Sequence, residues 1–172
     1  NNHNGCYDRA IQMIDLAIDM GVDCVKFQMR HLDQVYRKKS LSKSGEDLGT
    51  EYIIDLLDRF ELTVEEHTSL SKYCKEKGIL YMCTPWDNKS IEVLESFEVK
   101  AYKVASADLT NLPLLDRLAK TKKPLILSTG LSTMDEIENA VYVAKKNGCK
   151  DLTLLYCVSN YPSQSNDFNL NY

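Results

Sequence analysis

The feature that most constrains this chain is a strict alternation of two kinds of segment. Five short runs are predominantly apolar on consecutive residues: Val22–Gln28, Ile79–Cys83, Ala101–Ala105, Leu125–Ser128 and Leu152–Cys157. Runs without polar alternation are the pattern of parallel strands covered on both faces. Between and before them lie helical patterns at Cys6–Met20, Thr63–Lys77, Asn88–Phe97, Leu112–Lys120 and Thr133–Asn147. Thr63 followed by Glu65 and Glu66 suits a helix N-cap, and Gly21, Gly78 and Gly148 stand where helices stop. Alternating β and α segments imply a parallel sheet with right-handed crossovers. The later strand midpoints are about 22–28 residues apart, a regular period for such units. The first gap is longer: it holds a Lys/Ser/Gly-rich stretch, Arg37–Gly49, and an expected extra helix at Thr50–Phe60.

The pattern opens on a helix with no strand before it and runs from the fifth strand into YPSQSNDFNLNY. The expectation is an α/β chain forming an incomplete (β/α)8 TIM barrel. It has about five parallel strands, with the first strand and the last strands missing, so that residues 1–172 are a partial catalytic domain; a whole barrel typically needs ~250 residues. Polar residues at every strand end support this. The ends carry Lys26 and Gln28; Thr84, Trp86 and Asp87; Ser106 and Asp108; Ser128, Thr129 and Gly130; and Ser159, Asn160 and Tyr161. In a barrel all C-terminal strand ends meet at one mouth, whereas an open doubly wound sheet needs such residues only beside its switch point.

Lys26 and Lys103 stand out because each sits within an apolar strand, where an uncompensated ammonium costs several kcal/mol. With Thr84, Ser106, Ser128 and Thr129 nearby, two strand lysines make a cationic, donor-rich pocket suited to phosphate and carboxylate. The blander alternative is lysines that snorkel to a rim or pair with a carboxylate. Gly130 lets backbone N–H groups approach an anion. His3 lies in a polar loop where the missing first strand would end and is a candidate substrate contact. His31 and His67 sit among charged residues and are expected at the surface. Trp86 suits a sugar-site wall as well as ordinary packing.

Composition narrows the function classes. With 21 Lys+Arg against 25 Asp+Glu, the net charge of −4 gives no general reason to bind nucleic acid or an anionic membrane. No apolar run approaches the ~18–20 residues of a membrane-spanning helix, and the first residues lack a signal-peptide layout. The six cysteines, at 6, 24, 74, 83, 149 and 157, form no C-x-x-C pair and read as reduced thiols of a cytoplasmic protein. No Ser-His-Asp set, Walker loop, G-x-G-x-x-G or H-E-x-x-H is present, and three scattered histidines do not make a metal set.

These residues resemble the N-acetylneuraminate (sialic acid) synthase family. The matching segments run nearly end to end: NHNG at 2–5, VKFQ at 25–28, TPWD at 84–87, YKVASADLTNLPLL at 102–115, PLILSTGLST at 124–133 and CVSNYP at 157–162, then FNLNY. The resemblance implies condensation of phosphoenolpyruvate with an N-acyl-mannosamine-type sugar, giving a nine-carbon 2-keto acid and phosphate by C–O cleavage. It assigns Lys26, Thr84, Lys103, Ser106, Ser128 and Ser159 to phosphoenolpyruvate, and Asp108 to proton transfer near the sugar. Tyr161, His3 and Gln28 fall on the sugar side. It also implies a divalent metal, manganese or magnesium, whose histidine ligands lie beyond Tyr172. A C-terminal antifreeze-like domain outside these residues caps the partner's active site in a homodimer. Some members carry Asn at the position of Ser159, His at Tyr156 and Pro at Gln164. The alternatives are a class I aldolase-type barrel using Lys103 or Lys26 as a Schiff base, and a fragment that keeps the fold without chemistry.

Overall fold

The computed structural model describes residues 2–36, 48–160 and 162–170. Most of the polar stretch Arg37–Gly49, and Tyr161, therefore lie outside the described residues. The chain forms two compact units, Asn1–Lys100 and Ala101–Tyr172.

In the first unit, helix α1 (Tyr7–Asp19) precedes strand β1 (Cys24–Met29). A short helix α2 (Leu32–Val35) and helix α3 (Leu48–Phe60) follow. Helix α4 (Val64–Lys77), strand β2 (Leu80–Pro85) and helix α5 (Asn88–Ser96) complete it. The helix ends follow local chemistry. Thr63 accepts from the Glu66 N–H while the Glu66 carboxylate accepts from the Thr63 N–H, a reciprocal cap for two of the donors that every helix start leaves unpaired. Gly78 ends the same helix at φ 77°, in the left-handed region where a Cβ is unfavourable. Strands β1 and β2 pair in parallel, with Lys26 opposite Met82 and Gln28 opposite Thr84. Ala10 and Ile14 of α1, Leu70 and Cys74 of α4, and Ile91 and Leu94 of α5 are buried on this pair's core side. Phe27 stacks on Tyr81 at 5.4 Å between ring centroids, and Phe97 meets Tyr81 edge-on at 6.2 Å.

The second unit places strand β4 (Leu125–Ser128) between β3 (Tyr102–Val104) and β5 (Leu152–Leu155), all parallel. A short 3-10 turn, Ser106–Asp108, leads from β3 to helix α6 (Leu112–Ala119), and helix α7 (Met134–Lys146) precedes β5. Asn111 caps α6, with Pro113 in its first turn, and Thr133 with Glu136 caps α7 reciprocally. Tyr102, Val104, Leu125 and Leu127 are buried, as are Leu115 and Leu118 of α6 and Ala140 and Ala144 of α7. The alanines let α7 approach α6 closely.

The expected order of strands and helices is present, and the strands are parallel. They pair as a two-stranded and a three-stranded sheet. Strand β1 begins at Cys24 rather than Val22, and β5 ends at Leu155 rather than Cys157. The expected two-sided cover of β5 is a correction: Thr153, Leu154 and Leu155 are exposed, and β5 pairs only with β4 among the described residues. Such an edge is a ready template for another strand. All six cysteine sulfurs are free. No helix among the described residues is long and apolar enough to cross a membrane.

Two histidines expected at the surface are not there. His31 is partly buried: its backbone N–H donates to Asp87 Oδ2 at 2.8 Å, and its Nδ1 lies 3.1 Å from Ser90 Oγ. His67 is only 1% exposed, on the face of α4 that also carries Leu70 and Cys74, with Nδ1 2.7 Å from the Tyr81 hydroxyl. Burial, followed by the nearby His3, pulls the His67 pKa down to about 4 against a weaker opposing pull from Glu66. A base with a lowered folded pKa contributes stability that is intact above its ordinary value, 6.5, and is lost as pH falls through about 4. On the order of 3 kcal/mol of native stability is therefore expected to disappear between those limits. Urea unfolding of the full-length protein at a series of pH values checks this. His67→Gln should flatten the acid limb, and an unchanged limb would show that the loss arises elsewhere.

Candidate functional site

Side chains two apart on a strand share a face. In β1 that places Lys26 with Gln28, and the parallel register sets Thr84 of β2 on the same face beside Gln28. His3, Lys26 and Gln28 line one cavity of about 300 Å³, together with Met13 and Phe27. His3 is 7% exposed, its Nδ1 accepts from the Gly5 N–H at 3.1 Å, and burial lowers its pKa. Gly5 belongs there because a Cβ would lie 2.5 Å from the Arg59 carbonyl oxygen at the end of α3. Three residues expected from sequence on or near the substrate thus meet here. Lys26 itself is a correction. It was expected within a covered strand, yet it is exposed, because its face of β1 is open in this unit.

The C-terminal ends of β1 and β2 are tied by a polar network that the sequence did not suggest. Asp87, 6% exposed, caps α5 through the Ser90 N–H at 2.7 Å, accepts the Ser90 hydroxyl at 2.7 Å and holds the His31 backbone. Its role is to fasten one loop to the next. Arg30 sits with its guanidinium carbon 4.7 Å from the centre of the Trp86 ring and its Nε 3.4 Å from Glu61 Oε2. The Arg30 N–H also donates to Glu61 Oε1 at 3.3 Å. Burial pushes the Glu61 carboxyl up to about 7, with Arg30 opposing that rise.

In the second unit Lys103 is 6% exposed, and its ammonium donates to Ser128 Oγ and, at 2.6 Å, to the Val104 carbonyl oxygen. These bonds offset the desolvation of a buried cation. Ser106 and Ser159 meet beside Gly130. A Cβ added at Gly130 would lie 2.6 Å from Ser159 Oγ, 3.1 Å from Ser106 Oγ and 3.2 Å from the Cys157 carbonyl oxygen. Only a residue without a side chain fits between those hydroxyls. The next residue, Leu131, holds φ 68°, a strained value for a bulky side chain, so the Thr129–Leu131 turn is fixed by its surroundings. Asp108 ends the 3-10 turn, and its Oδ1 accepts from Asn111 Nδ2 at 3.1 Å. Lys103 thus meets Ser128, and Ser106 meets Ser159 beside Gly130, with Asp108 two residues from Ser106.

The described residues contain no group of three His, Cys, Asp or Glu side chains arranged to hold a metal ion. They do not fit one, and no step below runs through a metal.

The NeuB family profile matches residues 13–172. The chain belongs to the NeuB family. It is 42% identical over 170 residues to an uncharacterized protein of Methanocaldococcus jannaschii, covering 99% of this chain and 47% of that protein. It is 36% identical over 174 residues to the N,N'-diacetyllegionaminic acid synthase of Campylobacter jejuni, covering 98% of this chain and 52% of that enzyme. The crystal structure of the N-acetylneuraminic acid (sialic acid) synthetase of Leptospira borgpetersenii, in complex with citrate, superposes with a TM-score of 0.84 at 33% identity, covering 98% of this chain and 55% of that one. The chain spans about half the length of the curated relatives it matches. Its relatives include synthases of diacetyllegionaminic acid, N-acetylneuraminate 9-phosphate and pseudaminic acid.

Proposed function

We propose that the protein carrying this chain condenses phosphoenolpyruvate with an N-acyl amino sugar of the mannosamine type. The products are a sialic acid-like 2-keto acid and inorganic phosphate. The observation that carries the reading is the buried Lys103 ammonium, bonded to Ser128, with the Ser106 and Ser159 hydroxyls crowded around Gly130. Such a cluster offers one cation and several donors to a phosphate or carboxylate and excludes water from them. The family resemblance also assigns Lys26 and Thr84 to phosphoenolpyruvate. His3 and Gln28, with Tyr161, are on the sugar side.

In this reading carbon 3 of phosphoenolpyruvate attacks the aldehyde carbon of the open-chain sugar, and the new alkoxide takes a proton. Water adds at carbon 2, the C2–O bond breaks, and phosphate leaves with the bridging oxygen. Asp108 transfers a proton at this centre. The divalent metal of the family, manganese or magnesium, belongs to the same reading with ligands outside the described residues. So do a homodimer and a cytoplasmic location.

An oxygen label tests the bond that breaks. With ¹⁸O in the bridging position, the label is expected in inorganic phosphate; its retention in the organic product would refute C–O cleavage. The competing aldolase chemistry needs a neutral lysine amine as nucleophile. In this reading Lys103, whose Nζ donates to the Ser128 hydroxyl and the Val104 carbonyl, serves as a charged anion-binding group and not as the nucleophile. Borohydride treatment with pyruvate or sugar should therefore leave both lysines unmodified.

Gly130→Ala follows from the same geometry. The added methyl forces Ser159 Oγ away from its present position. The KM for phosphoenolpyruvate is expected to rise about tenfold, the equivalent of one good hydrogen bond. A KM within twofold of the parent would show that these hydroxyls do not touch the substrate.

A further inference from the structure

The Gln28 carboxamide is held in one orientation by two donors. Arg30 Nη2 lies 2.9 Å and Trp86 Nε1 3.0 Å from the same terminal atom of Gln28. Arginine and indole nitrogens can only donate, so that atom is the carbonyl oxygen, and the pair occupies both of its lone pairs. Gln28 lines one cavity with His3 and Lys26, and its amide nitrogen, with two N–H groups, is the end that neither donor engages. Each donor is itself anchored. Arg30 is paired with Glu61 and lies over the Trp86 ring, and the Trp86 backbone N–H donates to the Met29 carbonyl oxygen at 3.0 Å.

We propose that Arg30 and Trp86 are positioning residues that lock Gln28 as a pure hydrogen-bond donor, so that this amide selects an acceptor oxygen on the sugar. The inference rests on the sugar-binding reading above. An unlocked glutamine can turn its oxygen to a hydroxyl donor or its nitrogen to an acceptor, and it loses side-chain freedom on binding. The locked one has lost that freedom beforehand and rejects a ligand that presents only a donor at this point, because its N–H groups would then stay unpaired. Glu61 acts one step further away, by holding Arg30.

The test is a double-mutant cycle in the full-length protein, read as separate KM values for the two substrates. Trp86→Phe keeps the ring under Arg30 and removes only the indole donor. It is expected to raise the KM for the sugar about five- to tenfold and to leave the KM for phosphoenolpyruvate within twofold. Gln28→Glu removes both N–H donors and should raise the sugar KM about a hundredfold. In the Gln28→Glu background Trp86→Phe should add less than twofold, since the donor that the lock presents to the sugar is already gone. Equal effects of Trp86→Phe in both backgrounds, or an equal rise for both substrates, would overturn the lock. The indole N–H resonance lost in Trp86→Phe gives a readout independent of turnover. It should shift in Gln28→Ala, and an unmoved resonance would overturn the lock. A parent protein that releases no phosphate with any sugar contradicts the synthase reading and leaves this resonance to judge the lock.

Discussion

Lys103→Met is expected to raise the KM for phosphoenolpyruvate by roughly one and a half to three and a half orders of magnitude. The ammonium is buried, so its attraction for an anion is weakly screened, and losing one partner of a desolvated charged contact typically removes roughly 2–5 kcal/mol. At 1.4 kcal/mol per decade this is a factor of roughly 30 to 3,000. Methionine keeps most of the apolar stem against β3 and β4, so the fold is tested apart from the charge. Lys103→Ala should show the same loss of affinity with an added loss of stability. Calorimetry of phosphoenolpyruvate binding to folded full-length Lys103→Met checks the point, and parental affinity would remove Lys103 from the substrate.

Asp108→Asn is expected to lower kcat by a factor of about 10² to 10⁴, the usual contribution of a positioned proton-transfer group. The substitution is nearly isosteric. Its remaining side-chain oxygen can still accept from Asn111 Nδ2, as Asp108 Oδ1 does at 3.1 Å, so the 3-10 turn should persist. Affinities for both substrates should change little. Steady-state kinetics that give a parental kcat, or a loss confined to KM, would reject proton transfer at this position.

The parts of the fold legible in the sequence are those set by near neighbours. The caps at Thr63 and Thr133 are written in three consecutive steps of chain; the expected one at Thr63 forms, and Thr133 with Glu136 makes a second of the same kind. The strand interiors are legible because only a covered strand tolerates consecutive apolar residues. Exposure was harder to read, because it depends on what lies beside an element. Lys26 and Leu154 sit in apolar runs, yet their faces are open among the described residues. His67 misled through its neighbours Glu65 and Glu66, which lie on another face of α4. The spacing of His67, Leu70 and Cys74 is the signal of a buried helix stripe, and it was there to be used.

The candidate site divides in the same way. Lys103, Ser106, Ser128 and Ser159 were legible as polar residues that interrupt or end apolar strands, and the structure pairs Lys103 with Ser128 and sets Ser106 and Ser159 beside Gly130. Arg30 and Glu61 were not legible. They meet across 31 residues, and nothing local marks either as a partner of the other. Asp87, legible as a polar strand end, proves to be a helix cap and a tie between loops.

The most direct measurement is the release of inorganic phosphate from phosphoenolpyruvate by the full-length protein, with manganese present and a panel of N-acyl amino sugars as acceptors. Phosphate should appear in step with a nine-carbon keto acid, only when a suitable sugar is supplied. Phosphate released at the same rate without any sugar, or none with every sugar in the panel, would contradict a synthase.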